Sequence, residues 1–492
     1  MHRIGTSTKA GKRQVVMSSF GCTMSASTTP RMLLEDGKTM FIPRPYANFR
    51  PFTKTHKEFN LNLELRKLVL FIEEWCLRYL IDRREHEEWA DKAFFDAMPE
   101  TVLEEPIPID ELNFNPEVYH LNEAHGFSAA FYLLNKYKSL AEVKKRLVFT
   151  THTPEEAGNE KHDIYLCLKM GYFCGLSLDE VRKLTGIEDD QFNHSLAALR
   201  FARKANGVSE LHGHVSRELW SKYDGICPIT HITNAQNWRY WADKQLYRFA
   251  ENQDEAGFDD RKMYLKKRAF EIVADQTGKL FDPNVLTIVW ARRFAGYKRA
   301  DFLSWDLNRF EKLLANAKYP VQIIFAGKPY PVDHPAISQF NNLVHLSKNY
   351  NNVAVLIGYE LGLSKRMKQA SDVWLNNPRV PREASGTSGM TAAMNGAINF
   401  STDDGWIPEF INHGNNGFVI PKADYANMST QQQDDYDLDE LYKILEQQII
   451  PMYYDNKDTW RQITQNGMKD VRFQFDSNRM AEEYYEKMYK TT

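Results

Sequence analysis

Four cations, Arg292, Arg293, Lys298 and Arg299, fall within eight residues directly after the apolar run 285–291. Guanidinium and ammonium groups both clamp phosphate oxygens, so this set reads as an anion site. A second polar stretch follows the apolar run 373–375: Asn376, Asn377, then Glu383, Ala384, Ser385, Gly386, Thr387, Ser388, Gly389 and Met390. A Gly/Ser/Thr loop opening a helix turns backbone N–H groups and the positive dipole end toward an anion. Its small side chains also let a sugar or phosphate approach. Glu383, at its edge, suits sugar hydroxyls as an acceptor.

Three more clusters follow short β-rich runs: Asn122, Glu123 and His125; His152 in a Thr-His-Thr-Pro turn; and Thr233, Asn234, Gln236 and Asn237, ahead of Trp238 and Trp241. Amide, imidazole and aromatic groups suggest a sugar, as the Arg/Lys set suggests an anion. The chain has no HExxH, no metal-ligand spacing, no GxSxG elbow and no Walker loop, so no metal is expected.

These residues need elements to hold them. The runs 285–291, 321–326, 353–357 and 373–375 are near-continuously apolar and strand-length, as strands buried on both faces of a parallel sheet are. Their alternation with helical stretches predicts βαβ units and an open α/β sheet. Shorter runs at 118–121, 146–151 and 229–233 predict a similar first unit. Leu61, Leu65, Leu68, Ile72, Trp75 and Tyr79 recur at helical spacing and predict an amphipathic helix. The stretch 259–275 also reads as helix. Met480, Tyr484 and Met488 share one face of a terminal helix that Asp476 or Ser477 caps. The expected division is an irregular segment 1–60, Rossmann-like units 61–255 and 256–475, and a C-terminal helix 476–492. Ligands of such sheets bind beyond the carboxyl ends of the strands, which places the site in the cleft between the units.

The composition narrows the class. With 62 Lys+Arg against 65 Asp+Glu, the 492-residue chain carries a net charge of −3. That balance argues against a nucleic-acid or anionic-membrane binder. No apolar run approaches the roughly 18–20 residues of a membrane span. Five scattered cysteines without a CxxC pair, and no signal-like apolar stretch, predict a cytoplasmic protein.

The stretches 119–125 (YHLNEAH), 149–158 (FTTHTPEEAG), 203–219 (RKANGVSELHGHVSREL), 231–234 (HITN), 291–300 (ARRFAGYKRA), 321–328 (VQIIFAGK) and 372–390 (DVWLNNPRVPREASGTSGM) resemble the α-glucan (glycogen) phosphorylases, especially the short bacterial type. The resemblance implies a GT-B fold of two Rossmann-like domains, and phosphate splitting an α-1,4-glucan end to glucose 1-phosphate with retention. It further implies that Arg293 and Lys298 hold the reacting phosphate. His152, Asn234, Glu383, Ser385 and Gly386 would hold the glucosyl unit, and Arg292, Tyr359, Thr387 and Ser388 would line the pocket of the family cofactor, pyridoxal phosphate. Family analogy also points to a homodimer.

Two departures stand out. Where the family has its Schiff-base lysine after the loop methionine, this chain has Thr391, whose hydroxyl cannot form an imine. No GGLG loop occurs in the first 116 residues, and Ala235 stands where the family typically has glycine. The residues alone therefore leave three functions open. One is a phosphorylase-like hexosyltransferase of altered activity acting on an α-glucan or oligosaccharide. Another is a retaining transferase using a nucleotide sugar. The third is a non-catalytic glucan-binding relative.

Overall fold

The computed structural model describes residues 116–155, 158–330, 332–425 and 427–490, together with short strands before them at Ile4–Thr6, Arg13–Val15, Arg31–Leu33, Thr39–Phe41 and Val69–Glu73. Two parallel sheets organise these residues. The first holds β1 (Val69–Glu73), β2 (Val118–Asn122), β3 (Leu147–Thr150), β4 (Lys204–Gly207) and β5 (Ile229–His231), in spatial order β5-β4-β3-β2-β1. All four pairings are parallel.

β1 corrects one sequence expectation. The helix read from Leu61 to Tyr79 is interrupted by a strand that runs alongside β2, with Val69 opposite Val118 and Ile72 opposite Leu121. Four consecutive apolar residues, Val69, Leu70, Phe71 and Ile72, suit a sheet edge better than one helical face. The remaining positions of that pattern, Leu61, Leu65, Leu68, Trp75 and Tyr79, lie outside the described residues.

The second sheet holds β6 (Leu286–Ala291), β7 (Val321–Ala326), β8 (Val353–Leu356), β9 (Val373–Asn376), β10 (Ile398–Thr402) and β11 (Gly417–Ile420), in spatial order β8-β7-β6-β9-β10-β11. Every pairing is again parallel. Each residue of β6, β7, β8, β9 and β10 is buried. Burying one Val, Leu, Ile or Phe side chain contributes about 1.5–3 kcal/mol, so these strands are the main apolar reservoir of this half.

The order of that sheet fixes where a ligand can sit. The chain runs outward from β6 through β7 to β8, then returns to β9 on the other side of β6. At this reversal the connections leave in opposite directions, and in open α/β sheets ligands generally sit at such a point, beyond the carboxyl ends of the strands, here β6 and β9.

Helices close both sheets. α1 (Ser128–Tyr137), α2 (His194–Phe201) and α3 (Glu210–Trp220) belong to the first. Ser209 caps α3 by accepting from the His212 N–H at 3.0 Å. α4 (Glu255–Thr277) starts at the Asp254 cap and stops at Gly278, whose φ of 71° suits glycine. It buries Leu265, Ala269, Phe270 and Val273. α5 (Leu361–Ala370) precedes β9, and α6 (Thr387–Ala393) follows the Gly386 loop. α7 (Lys457–Gln474) leads to α8 (Ser477–Tyr484), capped by Asp476. α8 and the residues after it return to the first sheet, where Met480, Tyr484, Met488 and Tyr489 pack on Val118, Val148, Ile232 and Ala235.

Candidate active site

The loop after β6 carries the cations. Arg292 and Lys298 are buried, and Arg293 is exposed. Arg299 is removed from the anion-binding set that the sequence suggested. Fully buried, it pairs with Asp434 and Asp437, both at 2.8 Å, and donates to the carbonyls of Asn377 (2.9 Å) and Pro378 (3.1 Å). It fastens the loop after β6 to the loop after β9, helped by Asn377, whose amide donates back to the Arg299 carbonyl at 2.8 Å.

That fastening brings Glu383 against the cations. Lys298 Nζ lies 2.7 Å from Glu383 Oε2, and Arg292 Nη2 lies 3.3 Å from the same oxygen. Burial, then the neighbouring Arg292, lower Lys298 to about 7 against the opposing pull of Glu383. Burial acts to raise the Glu383 carboxyl, but Arg292, Lys298 and Arg293 outweigh it and leave the group below its ordinary value. Beside it, burial raises Asp404 to about 8, although its carboxyl accepts the N–H groups of Glu383 and Gly405, both at 2.8 Å. At neutral pH the cluster therefore holds up to three cations against one carboxylate. An anion is what such a surplus lacks.

Several buried polar atoms here have no hydrogen-bond partner among the described residues: Arg292 Nε and Nη1, Ser385 Oγ, Ser388 Oγ and, from the first sheet, Asn234 Oδ1. Leaving such groups unpaired costs about 1–3 kcal/mol each, and a polyhydroxylic or phosphorylated ligand would relieve that cost. Gly386 holds the loop turn with φ 85°. Gly405 is required by space, since a Cβ there would sit 2.4 Å from the Ser385 carbonyl oxygen. Ala384 presents its carbonyl to the Ser209 hydroxyl at 2.7 Å.

The first sheet contributes from β2, β3 and β5. His152, half-buried after β3, places Nε2 2.6 Å from Asn122 Oδ1. With that oxygen as acceptor, Nε2 carries the hydrogen and Nδ1 is the acceptor nitrogen. Burial, reinforced by His212, lowers His152 to about 4, so it is neutral at physiological pH. Glu123 is buried at a φ of 70° and accepts from the His152 N–H and from the hydroxyls of Thr153 (3.3 Å) and Thr151 (3.5 Å). In this arrangement Glu123 shapes the His152 turn. The His125 side chain lies outside the described residues. Asn234 is fixed after β5 by its N–H donating to the Val208 carbonyl at 2.9 Å.

Direct bonds join the loops of the two sheets. Arg382 pairs with Glu155 at 2.5 Å, next to Glu383 on one side and close to His152 on the other. Glu409 accepts from the Glu210 N–H at 2.9 Å and from the Thr233 hydroxyl at 2.5 Å. Ser209, Asp404 and Glu409 were not singled out by sequence reasoning. The Asp404-Gly405 pair after β10 was a readable signal only once β10 itself was recognised.

Of the residues that the resemblance assigned to a cofactor, Tyr359 donates its hydroxyl to the Ala291 carbonyl at 2.8 Å and lies 3.1 Å from Ser364 Oγ. Burial pushes this phenol up to about 12. Thr387 and Ser388 open α6, and Thr391 is buried with its hydroxyl donating to the Ser388 carbonyl at 3.0 Å. The unpartnered Arg292 and Ser388 atoms fit a phosphate-bearing group, whereas Thr391 offers no amine.

Among the described residues no helix is long and apolar enough to cross a membrane, and no cluster of ligating side chains fits a metal ion. The carbohydrate phosphorylase family matches residues 188–447. An uncharacterized protein of Methanocaldococcus jannaschii is 41% identical over 76% of this chain and 70% of its own length. The maltodextrin phosphorylase of Thermococcus litoralis is 33% identical over 77% of this chain, and the glycogen phosphorylase of Mycobacterium tuberculosis 31% identical over 76%. The chain spans about half, 51%, of each of these two enzymes. With more than half of its residues matched, the chain belongs to the carbohydrate phosphorylase family.

Proposed function

We propose that the chain is an α-glucan phosphorylase-like retaining glycosyltransferase that moves a glucosyl unit between an α-glucan end and phosphate. The observation that carries this reading is the cationic surplus of Arg292, Arg293 and Lys298 around Glu383 at the β6/β9 reversal, next in the chain to the Ser385 hydroxyl, which has no partner among the described residues. In this reading the parallel sheets are the cores of two Rossmann-like units, 61–255 and 256–475, bridged by the helix at 476–492. The site then lies in the cleft between them.

The roles follow from the chemistry of each group. Arg293 and Lys298 hold the phosphate oxygens, with Lys298 regaining full charge once a phosphate dianion lies beside it. Glu383, held ionised by its cations, accepts sugar hydroxyls. Ser385 and Asn234 bind the same ring from two sides, and the Gly386 turn lets it approach the backbone. Neutral His152, its Nε2 hydrogen committed to Asn122, accepts from a sugar hydroxyl at Nδ1 without adding a charge. The burial of Glu383, Ser385 and Asn234 limits water beside the sugar, and so favours phosphate over water as acceptor. Arg292, Ser388, Thr387 and Tyr359 would surround pyridoxal phosphate, which when bound supplies a phosphate that relays a proton to the substrate phosphate.

The test is release of glucose 1-phosphate from maltodextrin plus phosphate, with and without added pyridoxal phosphate. Arg293→Ala should weaken phosphate use by ten-fold or more while leaving glucan co-sedimentation intact. Glucan binding with no glucose 1-phosphate under either condition would overturn the transfer reaction.

A further inference from the structure

Buried lysines in this chain are normally saturated with oxygen partners. Lys262 donates to the carbonyls of Gln369, Ser371 and Asn395 at 2.8–3.2 Å. Lys266 pairs with Asp372, and Lys298 with Glu383. Lys368 differs. It is 4% exposed, and among the described residues its Nζ meets no carboxylate, carbonyl or hydroxyl. Instead Nζ sits 3.9 Å from the ring centre of Trp241 and 6.0 Å from that of Trp374. An aromatic face attracts an ammonium less than water does, so burial alone lowers Lys368 to about 7. A large share of this amine is therefore unprotonated and nucleophilic at physiological pH.

Its position ties it to the site. Lys368 lies one turn beyond Ser364 on α5, so the two share a helix face. Ser364 touches the Tyr359 hydroxyl, which bonds the carbonyl of Ala291, the residue before Arg292. On the other side, Trp241 packs with Met390 and Ala393 of α6. Asn395 donates to both the Trp241 and the Thr391 carbonyls, at 3.0 and 2.8 Å. The unpaired amine thus rests on Trp241, whose carbonyl Asn395 links to that of Thr391 on α6, while the helix that carries it reaches back through Ser364 and Tyr359 to the strand end before Arg292.

We propose that Lys368 is the covalent attachment point of this chain for an anionic aldehyde of the pyridoxal phosphate class, the role that residue 391 cannot fill. The amine nitrogen attacks the aldehyde carbon, the carbonyl oxygen leaves as water, and a carbon–nitrogen double bond remains, with no oxidant or reductant consumed. The amine site stands on the geometry around Lys368. Only the choice of pyridoxal phosphate among aldehydes rests on the transferase reading above.

The experiment incubates the full chain with substoichiometric pyridoxal phosphate near pH 7.5, reduces with borohydride and maps the modified lysine by peptide mass spectrometry. Labelling at Lys368 should exceed that at any exposed lysine by at least ten-fold. Lys368→Met and Lys368→Arg should abolish it, and pyridoxine phosphate, an alcohol, should leave no mark. Labels only on other lysines, or an unchanged pattern in Lys368→Met, would overturn the proposal, and the wild-type map decides even if a variant fails to fold. Lys368 labelled without any phosphorolysis supports the amine site and removes the transfer reading. Phosphorolysis with Lys368 unlabelled does the reverse.

Discussion

Replacing Arg299 by Met tests whether the anion loop is held by a buried ion network. Arg299 is the shared cation of Asp434 and Asp437; Asp434 also has Arg379 at 2.6 Å, whereas one oxygen of Asp437 already has no partner among the described residues. Removing one partner of a buried pair typically costs about 3–5 kcal/mol, because a charge is left uncompensated. Asp437 has an escape, since burial already raises its carboxyl and, without Arg299, it can take up a proton. From an ordinary value near 3.9, protonating it at pH 7 costs about 4 kcal/mol, falling by about 1.4 kcal/mol for each pH unit downward. The sign is that of a folded-state pKa raised above the unfolded one: the variant is least penalised in acid and loses stability as pH rises. Urea denaturation of wild type and Arg299→Met at pH 5, 6, 7 and 8 should therefore show a difference near 1–2 kcal/mol at pH 5 that grows to about 4 at pH 7. A difference below 1 kcal/mol, or one independent of pH, would refute the account of the loop as fastened through these carboxylates.

Lys298, lowered to about 7, loses its proton as pH rises through neutrality, so KM for phosphate in wild type should climb relative to Lys298→Arg between pH 6 and 8.5. Equal pH profiles for the two would contradict the assignment of that ammonium to phosphate. Gly405→Ala places a Cβ 2.4 Å from the Ser385 carbonyl oxygen at a φ of 62°, and should cost about 1–3 kcal/mol in thermal or urea denaturation while weakening sugar binding through Ser385. Ser209→Ala loses both the α3 cap and the bond to the Ala384 carbonyl. A stability loss of about 1–2 kcal/mol with a raised KM for glucan is expected, and glucan kinetics identical to wild type would show that the link between the loops is dispensable.

The strands that present the cations and the Glu383 loop were readable because β6, β7, β8 and β9 are almost continuously apolar. β10 was not, although every residue in it is buried. Its Asn399, Ser401 and Thr402 are polar yet bonded inside the protein, by the Gly389 carbonyl, the Asn376 amide and the Pro378 carbonyl respectively, although Asn399 Oδ1 has no partner among the described residues. Local patterning cannot distinguish such residues from a surface loop, so Asp404 was hidden with them. Which cations remain available to an anion was equally illegible. The carboxylates that consume Arg299 lie 135 and 138 residues further along the chain. A lysine on an amphipathic helix reads as solvated, and only tertiary packing exposes Lys368 as unpaired. The strand at 69–73 was masked by leucines that happened to fall at helical spacing.

The return of α8 to the first sheet also sets a schedule for synthesis. Val118, Val148 and Ile232 wait for Met480, Tyr484 and Met488 to cover them. At roughly 5–20 residues per second, the roughly 250 residues between Ile232 and that cover keep this apolar face open for tens of seconds on the ribosome. Nascent chains should therefore recruit holding chaperones until the last turn emerges, and truncation before Met480 should convert a productive chain into an aggregating one.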